Sequence, residues 1–195
     1  THCDILTVEK IAGGFLLETS IGQYQCESLV IATGGLSMPK LGATPFGYTV
    51  AEQFGLNVKP TRAGLVPFTL HEQDKTVLAE LSGISLDANA SCNETNFNEN
   101  ILFTHRGLSG PAVLQISSFW HPGQAVSFDL FPHGDLDNDL HQQQTDSPDI
   151  LLATALAKHY PKRYVQTALP YLGLQNKPLK QFQGKQLGQV AETFH

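Results

Sequence analysis

The chain has 195 residues, 41% hydrophobic and 15% charged, a balance that fits a folded domain with a real core and excludes a disordered tail. Its net charge of −6 argues against a surface built for nucleic acid or an anionic membrane, and Pro161-Lys162-Arg163 is the nearest approach to a basic cluster. Cys3, Cys26 and Cys92 are widely spaced with no CxxC pair, so neither a disulfide framework nor a zinc ribbon is expected, and a reducing, cytoplasmic setting is.

The chain opens on Thr1-His2-Cys3 without an initiator Met and runs straight into a strand-like segment, so an internal fragment is expected. Ile5–Ile11 alternates, Ala12-Gly13-Gly14 turns, Phe15–Thr19 forms the next strand and Ile21-Gly22 turns again, an antiparallel meander leading to Leu29-Val30-Ile31-Ala32. That last run lacks alternation and predicts a strand buried on both faces. Thr44 is placed to cap a following helix with Pro45 at its first position; Tyr48, Ala51 and Phe54 share one face, and Gly55 is the stop.

After about residue 60, Leu65–Leu70, Ile84–Leu86, Ile101–Phe103 and Ala125–Leu130 read as separated strands of a small barrel or sandwich. Between the last two, Ser109 is the expected cap of a helix carrying Val113, Leu114 and Ser117. Asp135–Ser147 is polar and Gln-rich, an exposed connection or helix start. From Pro148 the pattern is helical, with stripes Ile150/Leu151/Ala155/Leu156, Tyr164/Val165/Ala168/Leu169 and Leu187/Val190/Ala191. No run reaches the length of a membrane span and no signal peptide is visible, so no membrane partner is expected.

Two stretches carry candidate chemistry. Ala32-Thr33-Gly34-Gly35 at the end of the predicted strand, with Gly42–Gly47 opening a helix, offers backbone that a cofactor can approach closely. The alternative is a tight turn after a strand. In Phe103-Thr104-His105-Arg106-Gly107-Leu108-Ser109-Gly110-Pro111, His105 and Arg106 can bind an anionic group, or His105 can act as an acid; the alternative is a strand-to-helix turn, since no partner carboxylate is spaced nearby. The histidines show neither HxH nor HExxH spacing, so no metal site is expected. Tyr160 and Tyr164 read as core or surface. No GxGxxG or P-loop occurs, so this chain alone is not expected to hold a dinucleotide tightly.

Leu29–Gly42, followed by Gly47-Tyr48, Ala51–Gly55 and Leu65-Val66-Pro67, resembles the YhiN/BaiN-type NAD(P)/FAD-dependent oxidoreductases, aminoacetone-oxidase-like flavoproteins; Leu102–Ala112 is similar to that family's second signature. The resemblance implies an α+β fragment: part of a Rossmann-like FAD-binding domain (β-meander and strand, residues 1–60), then an inserted small β-barrel (61–134) with a helical subdomain (135–195). It implies FAD contacts from Ala32, Thr33, Gly34, Gly35, Thr44, Gly47 and Tyr48, with His105 and Arg106 toward the substrate. Many members read Gly-Asp where this chain has Pro45-Phe46, so a polar contact made there in the family is missing here.

The implied function is a flavoprotein oxidoreductase using FAD and NAD(P)H on a small organic substrate, with no nucleic-acid partner and with the fragment alone inactive. The alternative is an insert that acts as a binding module for RNA or a protein. Lacking neighbours for Leu29–Ala32, the residues before about 60 are expected to be disordered, mispaired or engaged in strand-swapped self-association.

Overall fold

The structure, a computed structural model, describes residues 2–195 and forms two compact units, the first ending at Arg62 and the second spanning Ala63–His195. In the first, β1 (Ile5–Ile11), β2 (Gly14–Thr19) and β3 (Gly22–Cys26) form an antiparallel meander in that order. The first turn needs positive φ at Gly13 (85°). The second is locked by Thr19, whose buried hydroxyl donates to the Gly22 carbonyl at 2.7 Å and accepts from the Ile21 N–H. Helix α1 (Phe46–Gln53) is tied to β1 by the Gln53 side-chain amide, which donates to the Val8 carbonyl at 2.7 Å. Thr44 accepts from the Phe46 N–H at 3.4 Å, while Pro45 lies just before the helix rather than at its first position.

Two expectations are corrected here. Residues 5–26 are paired in register within one chain, not mispaired, because Gly-marked turns bring each strand onto its predecessor. Leu29–Ala32 is not a strand: among the described residues it finds no ladder partner, and Val30 is 84% exposed. An apolar run has strand geometry only where a neighbour takes up its N–H and C=O groups.

The second unit is built on a curled five-stranded antiparallel sheet, ordered β4-β7-β6-β5-β8. Its strands are β4 (Phe68–Thr69), β5 (Ser85–Cys92), β6 (Thr95–Thr104), β7 (Gly107–Ser109) and β8 (Ser127–Asp129). It is a half-barrel in which β4 and β8 remain edges, in keeping with the small barrel expected. Along β5, Leu86, Ala88, Ala90 and Cys92 point inward while the residues between face out, the period of a half-buried strand. Helix α2 (Glu72–Leu78) follows β4, and α3 (Pro111–Ser117) packs on β5 and β6, burying Ala112, Val113 and Ile116.

Of the two readings of the polar segment, an exposed connection or a helix start, the structure has the helix, α4 (Leu136–Asp146), with the Asp135 carboxylate accepting from the Asn138 N–H at 2.9 Å. Its polar residues cover a buried side of Leu136, Leu140 and Gln143. Helices α5 (Leu152–Leu156), α6 (Lys162–Tyr171) and α7 (Gln186–Glu192) follow. The stripes Tyr164/Val165/Ala168/Leu169 and Leu187/Val190/Ala191 are buried as predicted. In the first stripe Ala155 and Leu156 are buried, but Leu151 is exposed and pairs with Pro178 in an isolated bridge, so that Leu152, outside the stripe, is the buried residue at the start of α5.

Sheet and helices share one continuous core in which Leu81, Ile101, Ile116, Leu140, Leu156 and Phe194 are fully buried, each worth about 1.5–3 kcal/mol of transfer free energy. Among the described residues, no helix is long and apolar enough to cross a membrane.

Candidate functional site

In the first unit the glycine loop and the start of α1 come together. A Cβ on Gly35 would lie 3.1 Å from the Tyr48 hydroxyl, and one on Gly47 would lie 3.2 Å from Thr33 Oγ1 and 3.4 Å from Ile31. The loop therefore sits against the first turn of α1, and a side chain at either position would press on the Tyr48 or Thr33 side chain. Gly34 has φ of 72° and open space where a side chain would stand. Among the described residues, the N–H groups of Ala32, Thr33, Gly34 and Gly35 take part in no backbone hydrogen bond. Unpaired donors on a loop with two adjacent glycines are what a phosphate or a ring edge can use. Thr44 is the member of the predicted set held by its own bond to the helix start.

In the second unit, His105 and Arg106 form the exposed tip of the β6–β7 hairpin. Thr104 organises that tip: its Oγ1 accepts from the N–H groups of Arg106 and Gly107 and donates to the Gly107 carbonyl at 3.0 Å. The Arg106 carbonyl accepts from the Leu70 N–H at 3.2 Å, joining the tip to the end of β4. Ser109 does not cap α3; it lies in β7, and Gly110, with φ of 94°, stands before Pro111. A serine hydroxyl is displaced as cap because the chain must leave β7 through a left-handed residue that packs on β6, and there a Cβ would meet the Asn100 carbonyl.

A third place carries chemistry that the sequence did not single out. The segment after β8 and the α5–α6 turn enclose a cavity of about 370 Å³ lined by Asp87, Phe131, His133, Lys158, His159 and Tyr160, among others. His133 pairs with Asp87 at 3.2 Å and His159 with Asp139 at 2.8 Å. Burial pushes the Asp139 carboxyl up, but hydrogen bonds from His159 and Gln143 outweigh it and hold the group below its usual range. Behind the cavity, Tyr160 stacks on Phe194 with centroids 5.2 Å apart, and Tyr164 lies in the same cluster. Burial raises the Tyr160 phenol far above its ordinary value and that of Tyr164 to about 12, so both are neutral donors at physiological pH.

Residues 62–195 match the family described as HI0933-like protein barrel and H2TH domain. The chain belongs to this family. The matched region covers the half-barrel and all four helices that follow it.

Among curated proteins, the chain is 56% identical over 164 residues to the Escherichia coli (strain K12) protein named ribosomal RNA dihydrouridine synthase, a match covering 84% of this chain and 41% of that protein. It is 51% identical over 169 residues to the Haemophilus influenzae protein of the same name, covering 84% and 42%. The chain thus spans about two fifths of the length of the curated relatives it matches.

Those names overturn the expected function, a small organic substrate with no nucleic-acid partner, and they replace the aminoacetone-oxidase-like label. RNA recognition at unpaired nucleotides draws on stacking and hydrogen bonds as well as on charge, so a summed net charge of −6 is a poor guide to it. The binding-module alternative, which allowed for RNA, fits the relatives better.

Proposed function

We propose that this chain is part of an enzyme that reduces a uridine of ribosomal RNA to dihydrouridine. The observation that carries this reading is the 56% identity over 164 residues to a protein named for that reaction. In this reading the larger unit contacts RNA, with residues 61–134 supplying the sheet and 135–195 the helices. The smaller unit supplies one wall of a flavin site. The free cysteines Cys3, Cys26 and Cys92 and a ribosomal substrate both suit a cytoplasmic setting.

The residues present fit a flavin. Gly34 and Gly35 offer unpaired N–H groups on a loop with no side chain in the way, and Gly47 lets that loop close on α1. Ala32, Thr33, Thr44 and Tyr48 would border the cofactor, Tyr48 placing a hydroxyl beside Gly35. Bound flavin, reloaded by a nicotinamide, would supply the hydride that, with one proton, saturates the 5,6 double bond of uracil. Arg106, exposed at its hairpin tip, would contact an RNA phosphate, and His105 beside it a phosphate or ribose oxygen.

The test uses the protein at the full length of its relatives, incubated with unmodified ribosomal RNA and reduced nicotinamide. The RNA is expected to gain two hydrogens at a uridine, read by mass spectrometry of nuclease fragments. RNA of unchanged mass alongside a flavin-loaded, folded protein overturns the proposal.

A further inference from the structure

We propose that the cavity between the half-barrel and the α5–α6 turn holds one unpaired RNA nucleotide; this rests on RNA as the substrate and gives that RNA a defined point of contact. At about 370 Å³ the cavity is at the lower end of ligand clefts, room for a single base with its sugar and none for a helix. Its lining is mixed in the way a nucleotide requires. Phe131 is a half-buried ring held edge-on by His159 at 5.0 Å and backed by Tyr160 at 6.3 Å, so it is fixed before any ligand arrives. Gly134 keeps the space beside that ring open, since a Cβ there would fall 2.4 Å from Phe131 Cε1.

Charge and hydrogen bonding add to this. The carboxylate lining the cavity, Asp87, has His133 as its imidazole partner, and the lining His159 is held from behind by Asp139. Lys158 is exposed at the rim and, although it acts on Asp139 through charge, is in no close ion pair among the described residues, so its ammonium can reach a phosphate. Tyr160 is 4% exposed, lines the cavity, and its hydroxyl has no hydrogen-bond partner among the described residues. Aromatic ring, imidazole–carboxylate pair and cation together match base, ribose and phosphate. A duplex would instead want a broad basic face, whereas the cavity lining holds one lysine and no arginine.

The experiment measures anisotropy of a fluorescein-labelled single-stranded uridine-rich RNA titrated with the 195-residue chain at several salt concentrations. Phe131→Leu, which keeps most of the apolar volume, is expected to weaken binding about tenfold, the size of one lost base–aromatic stack. Lys158→Ala should weaken binding severalfold and reduce the salt slope by about one. Lys75→Ala, in α2 and paired with Glu72 away from the cavity, should bind as the parent does. If Phe131→Leu fails to fold, the exposed Lys158 decides the matter. Parent-like affinity and slope in the folded cavity variants overturn the cavity and leave the RNA reading standing. A parent chain that binds no RNA at low salt also overturns the cavity, and dihydrouridine formation by the full-length protein then reports on the reading itself.

Discussion

A Cβ on Gly107 would lie 2.2 Å from the Phe68 carbonyl oxygen, and one on Gly110 would lie 2.7 Å from that of Asn100. Both obstacles are backbone atoms, which cannot swing aside as a side-chain tip can. Both residues also have positive φ, 148° and 94°, where a side chain is strained even in open space. Gly110→Ala is therefore expected to destabilise the larger unit by about 2 kcal/mol or more. Ser109→Ala, which removes a hydroxyl with no capping bond, should stay within about 0.5 kcal/mol of the parent. Urea midpoints of the two variants check this, and equal losses would return the capping role to Ser109. The density of glycines in the second signature is thus a packing requirement, while the exposed pair His105 and Arg106 is left free for contacts.

Helix α4 is held to its neighbours by polar contacts that respond to acid. The Gln144 side-chain amide donates to the carbonyls of Leu179 and Phe182, and Asp139 accepts from His159 beyond α5. The Asp139 carboxyl is held below its unfolded value of about 3.9, so its stabilising contribution is fully present above that pH and is lost as pH falls through the lower folded value. Asp139→Asn should then show a flatter loss of stability on acidification below about pH 4, measured by thermal unfolding across that range. An acid limb as steep as the parent's would remove Asp139 from the account. These contacts also mark the limits of reading elements from sequence. Stripes of large apolar residues made α6 and α7 legible, whereas β5 is lined by Ala88 and Ala90, too small to stand out, and α4 has three buried residues under a polar exterior. The glycine loop was legible because its parts are local. The cavity was not, because Asp87, Phe131 and Lys158 meet only after the sheet and helices have packed.

At the scale of the molecule, the two units differ in how much they bury. The first has Val8 and Val50 as its buried hydrophobics, with Leu6, Ile21, Leu41 and Leu56 more than half exposed, while nearly all the core lies in the second. Amides of β1–β3 are expected to exchange with solvent by cheaper openings than those of β5 and β6, which sit inside the sheet with α3 across them. Hydrogen exchange resolved by peptide tests this, and equal protection in both units would contradict it. The antiparallel meander could be read because its turns are marked by glycine. The fate of Leu29–Ala32 could not, because whether a run becomes a strand depends on which neighbour lies beside it. Trp120 sits in the larger unit, its indole N–H donating to the Gln124 carbonyl at 2.8 Å and its ring 5.4 Å from Phe68. As the sole indole of the chain, it makes ultraviolet emission a private optical channel for the half-barrel, silent about the meander, so that the melting of the larger unit can be followed by itself without attaching a label.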